Sequence, residues 1–109
     1  MGRDSIGEFE ALVLLAALRL GDEAYGLSIA EEISATAERP TSRASVYVTL
    51  RRLEQKGLIT TEREASRSAP GGKPRRLVRV SRDAVARVQQ SRRALQRMWD
   101  GLEDVLEEA

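Results

Sequence analysis

Near the end of this 109-residue chain, Val88, Leu95, Leu102 and Ala109 stand seven residues apart, with Ser91, Met98 and Val105 at sevens between them. Two interleaved seven-residue series mark the a and d positions of a coiled-coil seam, which Trp99 and Leu106 widen on one side. A helix carrying that seam, capped by Ser81 and running from Arg82 to Glu108, would be about 40 Å long. A chain this short builds only a modest core, too small to cover such a stripe. The spacing therefore demands a partner, and the same helix of a second copy supplies one. The expected dimer interface is Val88, Leu95, Met98, Trp99, Leu102, Val105 and Leu106. Gly101, inside the helix, weakens it by about 1 kcal/mol relative to alanine.

Ahead of the seam, helical periodicity recurs three times. Phe9, Leu12, Val13, Ala16, Ala17 and Leu20 predict a helix over Glu8–Leu20, stopped by Gly21 and Asp22. Leu27, Ile29, Ala30 and Ile33 predict a second over about Gly26–Ala37, and Pro40 prevents its continuation. Ser42 is a good N-cap for a third, Arg43–Lys56, with Val46, Leu50 and Leu53 facing inward and Gly57 at its C-terminal end. The texture then changes. Residues 58–63 and 76–80 read as strands, and the Gly/Pro-rich stretch 65–74 joins them as a hairpin. The expected fold is mainly α with a small β-hairpin. It divides into a winged helix-turn-helix over 1–80 and a C-terminal dimerisation helix over 81–109.

The formal net charge of +1 conceals an uneven distribution. Residues 1–38 hold two basic and eight acidic side chains, residues 39–79 eleven basic and three acidic, and the remainder is nearly balanced. A basic middle is the electrostatic footprint of a polyanion site. Histidine and cysteine are both absent. That removes the commonest general base, the commonest transition-metal ligand and every disulfide. There is no P-loop, no GxGxxG and no framed carboxylate pair, so neither an enzyme, a metal nor a cofactor is expected. The first ten residues hold no apolar signal core and the longest apolar run, Ala11–Leu18, is far too short for a bilayer, so a cytoplasmic location without membrane contact is expected.

Several segments resemble the PadR family of bacterial transcription regulators. They are EALVLLAAL at 10–18, AYGLSI at 24–29, SVYVTLRRLEQKGLI at 45–59 and the hairpin GGKPRRLVRVS at 71–81. Two positions differ from the family pattern: Tyr47-Val48 replaces a Tyr-Pro pair, and Leu77-Val78 replaces Tyr-Tyr. The length of the tail resembles the short subfamily, whose single C-terminal helix dimerises. The resemblance implies DNA-binding regulators that are typically repressors, some of them released from DNA by small molecules.

On the third helix, the face opposite Val46, Leu50 and Leu53 carries Ala44, Ser45, Val48, Arg51, Arg52 and Gln55. The major groove of B-DNA admits one helix. Arg51 and Arg52 are suited to guanine edges or phosphates, Gln55 to adenine. Ser42, Arg43 and Ser45 at the helix start, with Lys73, Arg75 and Arg76 in the hairpin, complete the expected contacts to double-stranded DNA. The resemblance makes Tyr47 a DNA contact as well; the competing expectation is that its ring packs under the hairpin. Trp99 has two open readings, an interface anchor or, with Leu95, Met98 and Leu102, the wall of a pocket for a planar small-molecule effector. The expected function is a sequence-specific, DNA-binding transcriptional repressor that acts as a homodimer on an inverted-repeat operator and is open to release by a small-molecule effector. A winged-helix protein-interaction module without DNA binding, or an RNA-binding winged helix, remains the alternative.

Overall fold

The computed structural model describes residues 5–64 and 74–107. The elements follow in the order α1 (Glu8–Leu20), a 3-10 turn (Gly21–Glu23), α2 (Gly26–Thr36), α3 (Arg43–Gln55), β1 (Ile59–Arg63), β2 (Arg76–Val80), α4 (Arg82–Trp99) and α5 (Glu103–Glu107). Three helices and the hairpin enclose one core. Val13 and Leu14 of α1, Ile29 of α2, Val46 and Leu53 of α3, and Leu58, Ile59 and Val78 meet in it, closed by Ala84 and Val88 from the first turns of α4.

Local chemistry explains the element ends. Glu10, in the first turn of α1, accepts the Gly7 backbone N–H at 3.0 Å. Ser42 caps α3 by accepting the Ser45 N–H at 3.2 Å, and Ser81 caps α4 by accepting that of Ala84 at 3.1 Å. Past α3, Gly57 takes φ +76°. The Leu58 N–H bonds the Leu53 carbonyl at 2.9 Å and the Gly57 N–H that of Glu54 at 3.0 Å. This pair of bonds is a Schellman turn, sealed by burial of Leu53 and Leu58 together. It turns the chain directly from α3 into the hairpin.

β1 and β2 pair antiparallel, with Ile59 opposite Val80, Thr61 opposite Val78 and Arg63 opposite Arg76. The segment before α2 docks on the outer edge of β2, where the Val78 N–H donates to the Ala24 carbonyl at 2.9 Å.

The long C-terminal helix differs from expectation. It ends at Trp99; Asp100 leaves the helical region with ψ 129°, Gly101 takes φ +85°, and the short α5 follows. The seven-residue pattern tracks side chains and is blind to the backbone freedom that lets glycine turn the chain. The seam is also divided along its length. Val88 is buried in the chain's own core, whereas Leu95, Met98 and Trp99 on α4, and Leu102, Val105 and Leu106 beyond the break, are exposed. α4 makes the molecule elongated, 55 × 29 × 20 Å.

Candidate nucleic-acid interface

α3 buries Val46, Thr49, Leu50 and Leu53 and exposes the opposite side, where Arg43, Ala44, Ser45, Val48, Arg51, Arg52 and Gln55 all lie. The Ser42 and Ser45 hydroxyls are occupied within the cap: Ser42 Oγ donates to Ser45 Oγ at 3.1 Å, and Ser45 Oγ donates to the Ser42 carbonyl at 2.9 Å. Tyr47 is half-exposed, and its ring rests on the first turn of α2. A Cβ built on Gly26 would lie 2.6 Å from the ring and 2.8 Å from its hydroxyl. Tyr47 thus has a packing partner on α2 and still presents half its surface to solvent.

The hairpin distributes its arginines unequally. Arg76 is exposed, as is Arg63 directly across the ladder. Sequence reasoning missed Arg63, although the strand register identifies it. Lys73 and the glycines of the expected tip, Gly71 and Gly72, lie outside the described residues. Arg75 does not project from a tip. Its Nε donates to both carboxylate oxygens of Glu64 at 3.2 Å and its Nη1 to Glu23 at 3.2 Å, and the guanidinium lies 4.7 Å from the centre of the Tyr25 ring. The bonds to Glu64 first and Tyr25 next raise its pKa still further. Tyr25 thus has a packing role, its ring lying against the Arg75 guanidinium.

The acidic first segment neutralises much of the basic middle. Glu8 pairs with Arg39 at 3.0 Å, Glu10 with Lys56 at 2.9 Å, Asp22 with Arg79 at 2.8 Å and Glu23 with Arg75. Burial pushes the Glu10 carboxyl up, but the Gly7 N–H, the Lys56 ammonium and the nearby Arg52 charge outweigh it and hold it below its ordinary value. Arg43, Arg51, Arg52, Arg63 and Arg76 form no ion pair with a described residue. These five belong to α3 or the hairpin; Arg82, Arg92, Arg93 and Arg97 of α4 likewise form no ion pair with a described residue.

A separate apolar groove of about 680 Å³ runs between α1 and α4, lined by Leu15, Leu18, Val85, Val88, Leu95 and Trp99 among others. It brings together two of the four expected pocket residues, Leu95 and Trp99. Met98, three-quarters exposed, and Leu102, beyond the Gly101 turn, do not line it. No helix among the described residues is long and apolar enough to cross a membrane.

Comparison with known proteins agrees with this architecture. Residues 14–83 match the model of the transcriptional regulator PadR-like family. The chain is similar to a PadR family transcriptional regulator from Eggerthella lenta, with a TM-score of 0.68 at 27% identity, covering 91% of this chain and 84% of that one. It also matches the fold of a PadR family transcription regulator from Clostridium difficile, with a TM-score of 0.72 at 19% identity over 92% of this chain and 99% of that one. No curated protein matches the sequence closely enough to count as a relative.

Proposed function

Taking as premise that the chain belongs to the PadR-like family of transcriptional regulators, we propose that it binds double-stranded DNA as a homodimer and represses transcription from an inverted-repeat operator. The observation that carries this reading is the set of five arginines left unpaired on α3 and the hairpin while the acidic first segment neutralises their neighbours. A fold that spends its carboxylates elsewhere leaves those charges for a polyanion. α3 is the helix that enters the major groove, with Arg51 and Arg52 on guanine edges or phosphates and Gln55 on adenine. Arg43, at the start of α3, and Arg63 and Arg76 of the hairpin reach phosphates beside it; Lys73, outside the described residues, is a further candidate from its charge alone.

The second subunit packs along α4, covering Leu95, Met98 and Trp99, with Leu102, Val105 and Leu106 added by the segment after the turn. Two recognition helices related by a two-fold axis then meet half-sites about one helical turn apart. Trp99 and Leu95, with Met98 and Leu102 contributed around the interface, offer a flat apolar surface to a planar effector. Such a compound releases the operator only if it prefers a subunit spacing that DNA does not. A cytoplasmic location follows from a DNA-binding role.

Selection from a pool of random-sequence duplexes tests the reading. The expected result is enrichment of an inverted repeat, bound with an affinity that falls with salt by a log–log slope of about −0.9 per phosphate contacted. A pool that never enriches, or binding indifferent to salt, refutes it.

A further inference from the structure

Arg75 occupies a hairpin position that sequence reasoning gave to DNA, yet its guanidinium is enclosed by the protein. Its side chain is only 18% exposed, with Glu64 on one side, Glu23 on another and the Tyr25 ring against it. The Glu64 N–H also donates to the Arg75 carbonyl at 2.7 Å, which extends the hairpin ladder to this pair. Arg63 and Arg76, one step along the same strands, are exposed.

Arg75's partners Glu23 and Tyr25 belong to a short stretch, residues 22–26, that also holds β2 and Tyr47 of α3. Asp22 accepts from Arg79 at 2.8 Å, and the Ala24 carbonyl accepts the Val78 N–H. Gly26 seats the Tyr47 ring of α3. One five-residue stretch therefore touches both the DNA-facing helix and the hairpin, from β2 to the loop end of its ladder. A planar guanidinium suits this place, because it can fork onto a carboxylate and lie against an aromatic ring at once.

We propose that Arg75 is a positioning residue: by clamping the loop end of the hairpin ladder to residues 22–26 it fixes the hairpin relative to α3, and it touches no phosphate itself. This rests on the DNA-binding reading above. A hairpin held in place pays no ordering cost when DNA arrives, whereas a loosened one pays it at every binding event.

Glu64→Gln separates the alternatives by sign. If Arg75 were a phosphate contact restrained by Glu64, removing that carboxylate would free it, remove a negative charge near the polyanion and strengthen binding. If Arg75 positions the hairpin, the same change loosens the clamp and weakens binding, with an expected loss of about tenfold. The probe is a fluorescein-labelled duplex enriched from the random pool, titrated by anisotropy at several salt concentrations. Arg75→Met is expected to weaken binding by a similar factor with the salt slope unchanged, because no phosphate contact is lost. Arg76→Ala, as the reference contact, is expected to lower the slope by about 0.9. The double variant is expected to bind no worse than Arg75→Met alone, since both changes break one clamp. Thermal melts identify any variant that is unfolded; should Arg75→Met be, Glu64→Gln still decides by sign. A smaller salt slope in Arg75→Met, tighter binding by Glu64→Gln, or unchanged affinity in either folded variant overturns the assignment. If the unaltered protein enriches no duplex, the DNA-binding reading itself fails and this assignment falls with it.

Discussion

At Gly26, Tyr47 leaves no room for a side chain. A methyl group there would meet the far end of the tyrosine ring, which is half-exposed and free to swing outward. Gly26→Ala is therefore expected to change stability by less than about 1 kcal/mol. It should weaken DNA binding by displacing Tyr47, and add nothing further in a Tyr47→Ala background. Binding titrations on the two single variants and the double variant check this, and additive losses would count against it. Arg63 and Arg76 make a different case, like charges facing each other across a ladder. Arg63→Glu is expected to stabilise the hairpin by roughly 0.2–1 kcal/mol while reducing both DNA affinity and its salt slope. Opposite signs in melting temperature and affinity are the diagnostic. Arg63 escaped the sequence reading because composition does not reveal which strand residues face each other; that needs the register. The enclosure of Arg75 was not legible for a related reason. One of its partners, Glu23, lies 52 residues earlier, and no local pattern announces a contact of that range.

Among the elements, those whose ends are set by local chemistry were legible. α1 and β2 fall where apolar spacing puts them, and α3 is framed by its Ser42 cap and the glycine after Lys56. The end of α4 was not, because Gly101 obeys backbone energetics that the heptad pattern ignores. Gly101→Ala is expected to disfavour the turn, since alanine at φ +85° is strained. Alanine also favours the helix by about 1 kcal/mol. Circular dichroism should then show added helix joining α4 to α5; an unchanged spectrum would mean that the turn is held by other contacts, such as the Glu103 carboxylate on the Gly101 N–H. The α1–α3 tie has its own signature. Glu10 lies below its ordinary pKa in the folded chain, so its contribution is complete above the unfolded value. It is lost as pH falls below the ordinary glutamate range, near pH 4. Lys56→Met is expected to cost about 1–3 kcal/mol at neutral pH, and the deficit should shrink in denaturant melts carried down to pH 3.

For the molecule as a whole, the exposed apolar side chains of α4 and α5 sit apart from the core, which makes self-association separable from folding. Replacing Leu95 and Leu102 together with glutamate is expected to abolish the dimer in sedimentation, with secondary structure retained and tight DNA binding lost. A dimer that survives would place the contact elsewhere. The internal pairing of acidic first segment and basic middle has a further consequence, for kinetics. With a net charge of +1, one subunit exerts little pull on DNA from afar, and its unpaired arginines are felt only within a Debye length, about 8 Å at physiological salt. Such a protein finds its site by chance encounter rather than by capture at a distance. Salt should then act more on how long it stays than on how fast it arrives, and the rest of the genome should hold it only briefly between visits.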